Sequence, residues 1–90
     1  MYKVIFTPEA ENDLDKLDRT ISERIVKKTE WLGENAEVVF HHQLSSLPDE
    51  LKGLCRVRVG DWRILYWVYH HRKVIKIYGI EHRSKVYKKT

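Results

Sequence analysis

The spacing of apolar and polar positions changes twice along this chain, and each change marks a new kind of element. Tyr2-Lys3-Val4-Ile5-Phe6 is a short aromatic and β-branched run that predicts a strand. Thr7-Pro8-Glu9 reads as a helix start. Thr7 can cap, Pro8 suits the first helical position where no N–H is missed, and Glu9 favours the positive end of the helix dipole. Ala10, Leu14 and Leu17 follow as one apolar stripe at helical spacing. Asp18 is placed to cap a second helix running to about Leu32, with Ile21, Ile25, Thr29 and Leu32 facing inward and Gly33 expected to end it.

Residues 35–52 are the least regular, and from Leu54 the period becomes two. Cys55, Val57 and Val59 alternate with Arg56 and Arg58, Gly60-Asp61 signals a tight turn, and Trp62–Tyr69 is the next strand. His70–Arg72 makes a second turn before a strand from Lys73 to Gly79. The expected architecture is α+β: an N-terminal strand and a helical hairpin packed on one face of a four-stranded, mostly antiparallel twisted sheet, with the first strand joining an edge of the meander. Alternation turns Cys55, Val57, Ile64, Tyr66, Ile75 and Ile77 toward the helices. Arg56, Arg58, Arg63, Leu65, Trp67, Lys76 and Tyr78 then share the outer face, which this arrangement leaves open.

Composition narrows the function. Ninety residues make one domain over residues 1–90, and 42% hydrophobic with 33% charged residues describes a globular chain. A single cysteine, Cys55, excludes an intramolecular disulfide and argues against a cysteine-based zinc site. On the inward face it reads as a small core residue rather than a nucleophile. The pairs His41-His42 and His70-His71 lack a nearby set of ligands, so neither a metal nor another cofactor is expected. No apolar run approaches the ~20 residues that span a bilayer, and Met1–Phe6 is too short for a signal sequence. A cytoplasmic protein without membrane contact is the expectation. The net charge of +4 conceals an asymmetry: residues 1–51 carry −5 and residues 52–90 carry +9. A half-chain so basic is the footprint of a polyanion-binding surface. Arginines and lysines interleaved with Trp67 and Tyr78 suit RNA, whose phosphates take the cations and whose unpaired bases stack on rings. Trp31 and Trp62 are read as packing residues before base platforms, with both readings open for Trp62 beside the turn.

Three segments together carry a family pattern: Leu51-Lys52-Gly53-Leu54, the run Arg56-Val57-Arg58-Val59-Gly60-Asp61-Trp62-Arg63-Ile64-Leu65-Tyr66, and Gly79-Ile80-Glu81-His82-Arg83-Ser84-Lys85-Val86-Tyr87. With Pro8-Glu9-Ala10 at the hairpin entrance, the whole chain resembles the RelE/ParE toxin superfamily. The resemblance implies a RelE-like fold and the toxin of a type II toxin–antitoxin pair. Its RelE branch comprises metal-independent, ribosome-dependent endoribonucleases that cut mRNA in the A site and so inhibit translation. ParE-like members inhibit DNA gyrase instead, and a degenerate toxin that only binds its antitoxin is a third alternative. Implied partners are a cognate RelB-like antitoxin, the 70S ribosome with its mRNA, and operator DNA through the antitoxin complex.

Carried over residue by residue, the resemblance makes Arg63 the phosphate-binding arginine, Arg83 the tail arginine and Tyr87 the tail tyrosine that stacks on or orients a nucleotide. The family often has lysines, credited with base and electrostatic roles, where this chain has Arg56 and Arg58. A guanidinium keeps its proton, so these two are phosphate clamps rather than bases. Where the RelE prototype has an arginine acting as general acid, this chain has Glu81. Glu81 and His82 are the candidates for proton transfer, and as strand neighbours they face opposite ways, so one of the two reaches the site. Lys52 and Lys76 complete the expected phosphate-binding set, with Lys52 a further proton-transfer candidate.

Overall fold

A computed structural model describes residues 1–84. Along the chain run β1 (Lys3–Phe6), α1 (Pro8–Asp15), α2 (Arg19–Asn35), β2 (His42–Gln43), a one-turn 3-10 helix (Asp49–Leu51), β3 (Cys55–Val59), β4 (Trp62–Tyr69) and β5 (Val74–His82). The strands form one sheet in the order β1-β5-β4-β3-β2. β1 runs parallel to β5 and the other pairings are antiparallel. The sheet is therefore five-stranded rather than four-stranded, and mixed, with three of its four pairings antiparallel. The extra strand, β2, pairs His42 with Arg56 and Gln43 with Cys55. Two exposed polar residues show no alternation, so pairing alone defines them as a strand.

Both helix starts follow local chemistry. The Thr7 hydroxyl accepts from the Ala10 N–H at 3.1 Å and the Asp18 carboxylate from the Ile21 N–H at 3.0 Å, each satisfying a donor the helix leaves open. The end of α2 differs from expectation. Gly33 does not stop the helix, which continues to Asn35. Its neighbour in space is the segment that leads into β1: the Tyr2 N–H donates to the Gly33 carbonyl at 2.8 Å, and a Cβ on Gly33 would lie 2.8 Å from the Tyr2 carbonyl oxygen. The glycine serves close backbone approach rather than a left-handed cap.

The core lies between the two helices and one face of the sheet. Ile25, Thr29, Leu32 and Ala36 of the second helix and its end meet Cys55, Ile64, Tyr66, Ile75, Ile77 and Ile80, with Ala10 from α1. Isoleucine at 75, 77 and 80 breaks simple alternation, and the ladder explains it. Tyr66 pairs with Ile77 and Leu65 with Gly79, so Tyr78 is an extra residue, a β-bulge. Beyond it Ile80 returns to the core beside Ile64. β5 also continues past Gly79 to His82.

Candidate active site

Directly opposed residues of an antiparallel pair share a face. Arg58 opposes Arg63, and Arg63 opposes Glu81, which makes a three-strand row Arg58–Arg63–Glu81 on the outer face. The bulge decides the last member: unbroken alternation from Ile77 would have turned Glu81 inward. His82 instead opposes Trp62, on the other face. Its ring packs edge-on against Trp62 at 4.9 Å, and its Nδ1 accepts the Ser84 N–H at 3.2 Å. Of the two proton-transfer candidates, Glu81 shares Arg63's face and His82 fastens the start of the tail.

The outer face is not uniformly open. Arg63 is only 6% exposed and Leu65 8%. At the far end of this face the Trp67 indole N–H donates to the Lys52 carbonyl at 3.2 Å, which folds the segment before β3 back onto the sheet, and Leu54 is buried with it. Arg56 and Arg58, on the strand nearer the edge, remain exposed.

Arg83 joins the row from the end of β5. Its N–H donates to the Asp61 carbonyl at 2.8 Å, and its guanidinium lies 3.6 Å from the Asp61 carboxylate. Gly60, at φ +59°, makes the tight turn that presents Asp61 there. The result is a polar pocket of about 140 Å³ in which Arg58, Arg63 and Arg83 converge beside Asp61. Three guanidiniums and one carboxylate leave net positive charge, and each guanidinium can give two parallel hydrogen bonds to a phosphate. Arg56 stands with Arg58 and Arg63 along a neighbouring cleft. Lys52 and Lys76 are not brought to this pocket. Lys76 lies beside the Trp67–Tyr78 pair, rings 5.2 Å apart, with its ammonium 5.8 Å from the Trp67 ring, and Lys52 meets Trp67 through its carbonyl. Trp67 is four residues from Arg63 along β4, about 13 Å at strand rise. Tyr87 lies outside the described residues.

Two groupings escaped sequence reasoning. The cleft beside Arg56, about 270 Å³, is walled on its far side by Lys28, Trp31 and Phe40. Trp31 is 40% exposed rather than a packing residue, and the Lys28 ammonium sits 4.0 Å above its ring. Helical spacing of cations around Trp31 was the available signal. The second grouping is a part-buried hydrogen-bond chain. The His41 Nε2–H donates to the Ala36 carbonyl at 2.8 Å, leaving Nδ1 to accept the Tyr66 hydroxyl at 2.6 Å. Burial, reinforced by the Cys55 thiol, pushes the Tyr66 phenol far above its usual value, so it remains a donor. Burial also raises the Cys55 thiol, consistent with a core residue. Among the described residues no three His, Cys, Asp or Glu side chains gather to hold a metal ion, and no helix is long and apolar enough to cross a membrane.

Known proteins share this arrangement of elements. No curated protein sequence matches the chain. Among solved structures, the RelBE2 toxin–antitoxin complex from Mycobacterium tuberculosis is similar at 29% identity and a TM-score of 0.75, covering 91% of this chain and 98% of that one. The archaeal RelE–RelB complex from Pyrococcus horikoshii is similar at 25% identity and a TM-score of 0.72, over 93% and 97% of the two chains. A chromosomal ParDE system from P. aeruginosa has the same fold, at 19% identity and a TM-score of 0.70 over 91% and 96%. The family model described as the ParE toxin of the type II toxin–antitoxin system parDE matches residues 4–87. With nearly its whole length matched, the chain belongs to this family, and it is a type II toxin of the RelE/ParE superfamily.

Proposed function

We propose that this toxin is a ribosome-dependent endoribonuclease that cuts mRNA in the A site. The observation that carries the reading is the convergence of Arg58, Arg63 and Arg83 on one pocket with Glu81 in register beside Arg63. RNA cleavage by in-line attack of the 2′-oxygen forms the new O–P bond as the bond to the 5′-oxygen breaks. It needs a group to take the 2′-OH proton, fixed positive charge where the phosphate gains negative charge, and a proton for the departing 5′-oxygen, which water supplies where no side chain does. Glu81 is the carboxylate placed for the first task. The three arginines suit the second, Arg63 best, because its stem is fixed within the middle of the sheet. A cluster poor in groups that donate protons gains most from a ribosome that prearranges the 2′-oxygen for attack. Cleavage of free RNA is accordingly slow in this reading.

A RelB-like antitoxin is the proposed partner, since the M. tuberculosis and P. horikoshii relatives are toxin–antitoxin complexes. Operator DNA is reached through that complex, and the cytoplasm is where ribosomes and mRNA meet it. The competing reading, gyrase inhibition, draws support from the name of the matching family model. One pair of assays separates them. Purified toxin added to programmed ribosomes should yield a discrete cut in A-site mRNA and leave gyrase supercoiling intact. Blocked supercoiling with uncut mRNA would install the gyrase reading.

A further inference from the structure

Arg24, Lys27, Lys28 and Trp31 of α2 recur at i, i+3, i+4 and i+7 and so share one side of the helix, outside the proposed cleavage pocket. Arg24 and Lys28, four apart on the helix, repel each other. Lys27 lines this side and also the neighbouring hollow with Glu23 and Glu30, whereas Arg24 and Lys28 lie with Arg58, Val59 and Gly60 of β3 and its turn and not in that hollow. Arg24 reaches across to the β3–β4 turn: a Cβ on Gly60 would lie 3.3 Å from its Nη2. The groove between α2 and the β3 edge is thus lined by Arg24, Lys28, Trp31, Arg58 and Gly60. Arg58 and Gly60 also line the guanidinium pocket, so groove and pocket adjoin at these two residues and both are lined by cations.

We propose that this groove seats the single-stranded RNA that flanks the phosphate held by Arg58, Arg63 and Arg83. Arg24 and Lys28 take its phosphates, and one base stacks on Trp31. A base arriving on the indole competes with the Lys28 ammonium 4.0 Å above it and frees that ammonium for a phosphate. Adjacency to the anion pocket favours a polynucleotide over an acidic peptide, as does an apolar lining that is a ring apart from Val59. The proposal rests on the RNA-cleavage reading above and specifies how that substrate is held.

Binding of two 2′-O-methyl oligoribonucleotides, which lack the nucleophile, tests it by fluorescence anisotropy across a salt series. A trinucleotide reaches the guanidinium pocket only, and a decanucleotide reaches α2. Arg24→Glu with Lys28→Glu should weaken the decanucleotide roughly tenfold or more and flatten its salt slope by about 1.4, the value for two lost single-strand phosphate contacts. Trp31→Ala should weaken it about five- to a hundredfold with the slope unchanged. Neither change should move trinucleotide affinity. Arg24→Gln with Lys28→Gln gives a smaller loss of the same kind and covers a charge reversal that unfolds. Wild-type protein that binds the decanucleotide no tighter than the trinucleotide overturns the proposal, as does a decanucleotide indifferent to α2. So does a loss confined to antitoxin affinity, which would assign the groove to an acidic peptide. Trinucleotide affinity unmoved by Arg63→Ala, with the α2 effects intact, overturns the cleavage reading alone and leaves the groove standing.

Discussion

The two faces of the sheet bury their side chains for opposite reasons. On the helix side Ile64, Tyr66, Ile75 and Ile77 are inaccessible because α1 and α2 lie on them, and removing their apolar surface from water drives the fold. On the other side Arg63 is nearly as inaccessible, at 6%, with a charge that water would hold better. Its neighbours across the strands are another arginine and Glu81. Two cations side by side in a ladder weaken it. The inner face is therefore organised for stability and the row Arg58–Arg63–Glu81 for fixed charge. Lys52 and Lys76, exposed at the far end of the same outer face, have charge without that fixation.

The largest effect expected from probing this contrast is on the inner face. Ile77→Ala should lower unfolding free energy by about 2–5 kcal/mol in urea titrations, while the rate of mRNA cleavage well below the melting temperature stays near wild type. Arg63→Ala should do the reverse. Losing one preorganised donor costs about 10²–10³ in rate, read as single-turnover cleavage on programmed ribosomes, with melting little changed. Arg63→Lys should recover only part of that rate, because it keeps the charge and loses the two-pronged geometry. Lys76→Ala should cost far less than Arg63→Ala. Should Arg63→Ala simply unfold, the buried arginine belongs with the inner face and the contrast fails.

A smaller effect tests what holds the inner face together. Gly33→Ala forces a methyl to 2.8 Å from the Tyr2 carbonyl, a backbone atom that cannot swing aside. Although alanine is the better helix former, the clash should dominate and lower stability by about 1–3 kcal/mol. An equal or higher melting temperature would return Gly33 to the role of a helix end.

The smallest expected effect concerns Tyr66. Tyr66→Phe removes the hydroxyl that His41 accepts, at a cost of about 0.5–1.5 kcal/mol near neutral pH. Its pH dependence carries a sign. Burial raises the folded phenol above its unfolded value of 10.0, so this contribution is complete below that pH. Above it the unfolded chain loses the proton first, and stability falls as pH rises. The phenylalanine variant should therefore show the shallower decline in urea midpoint between about pH 9 and 11. Parallel declines would mean that the phenol titrates alike in both states.

What was legible in the chain was whatever depends on near neighbours. Thr7 and Asp18 were readable as caps because each bonds an N–H three residues on. Cys55–Val59 and Trp62–Tyr69 were readable as strands because their period matches the pleat, and the basic second half with the Arg56–Tyr66 and Gly79–Tyr87 runs pointed to the toxin superfamily. Tertiary structure decided the rest. His42-Gln43 is a strand only because β3 offers it an edge. Gly33 matters because the segment that leads into β1 arrives there, from 31 residues earlier in the chain. The choice between Glu81 and His82 was undecidable from alternation, since the bulge at Tyr78 shifts every later side chain by one position. A bulge is a property of two strands in register. It lets Ile77 and Ile80 both reach the core, and only once that core has closed does a carboxylate stand beside Arg63.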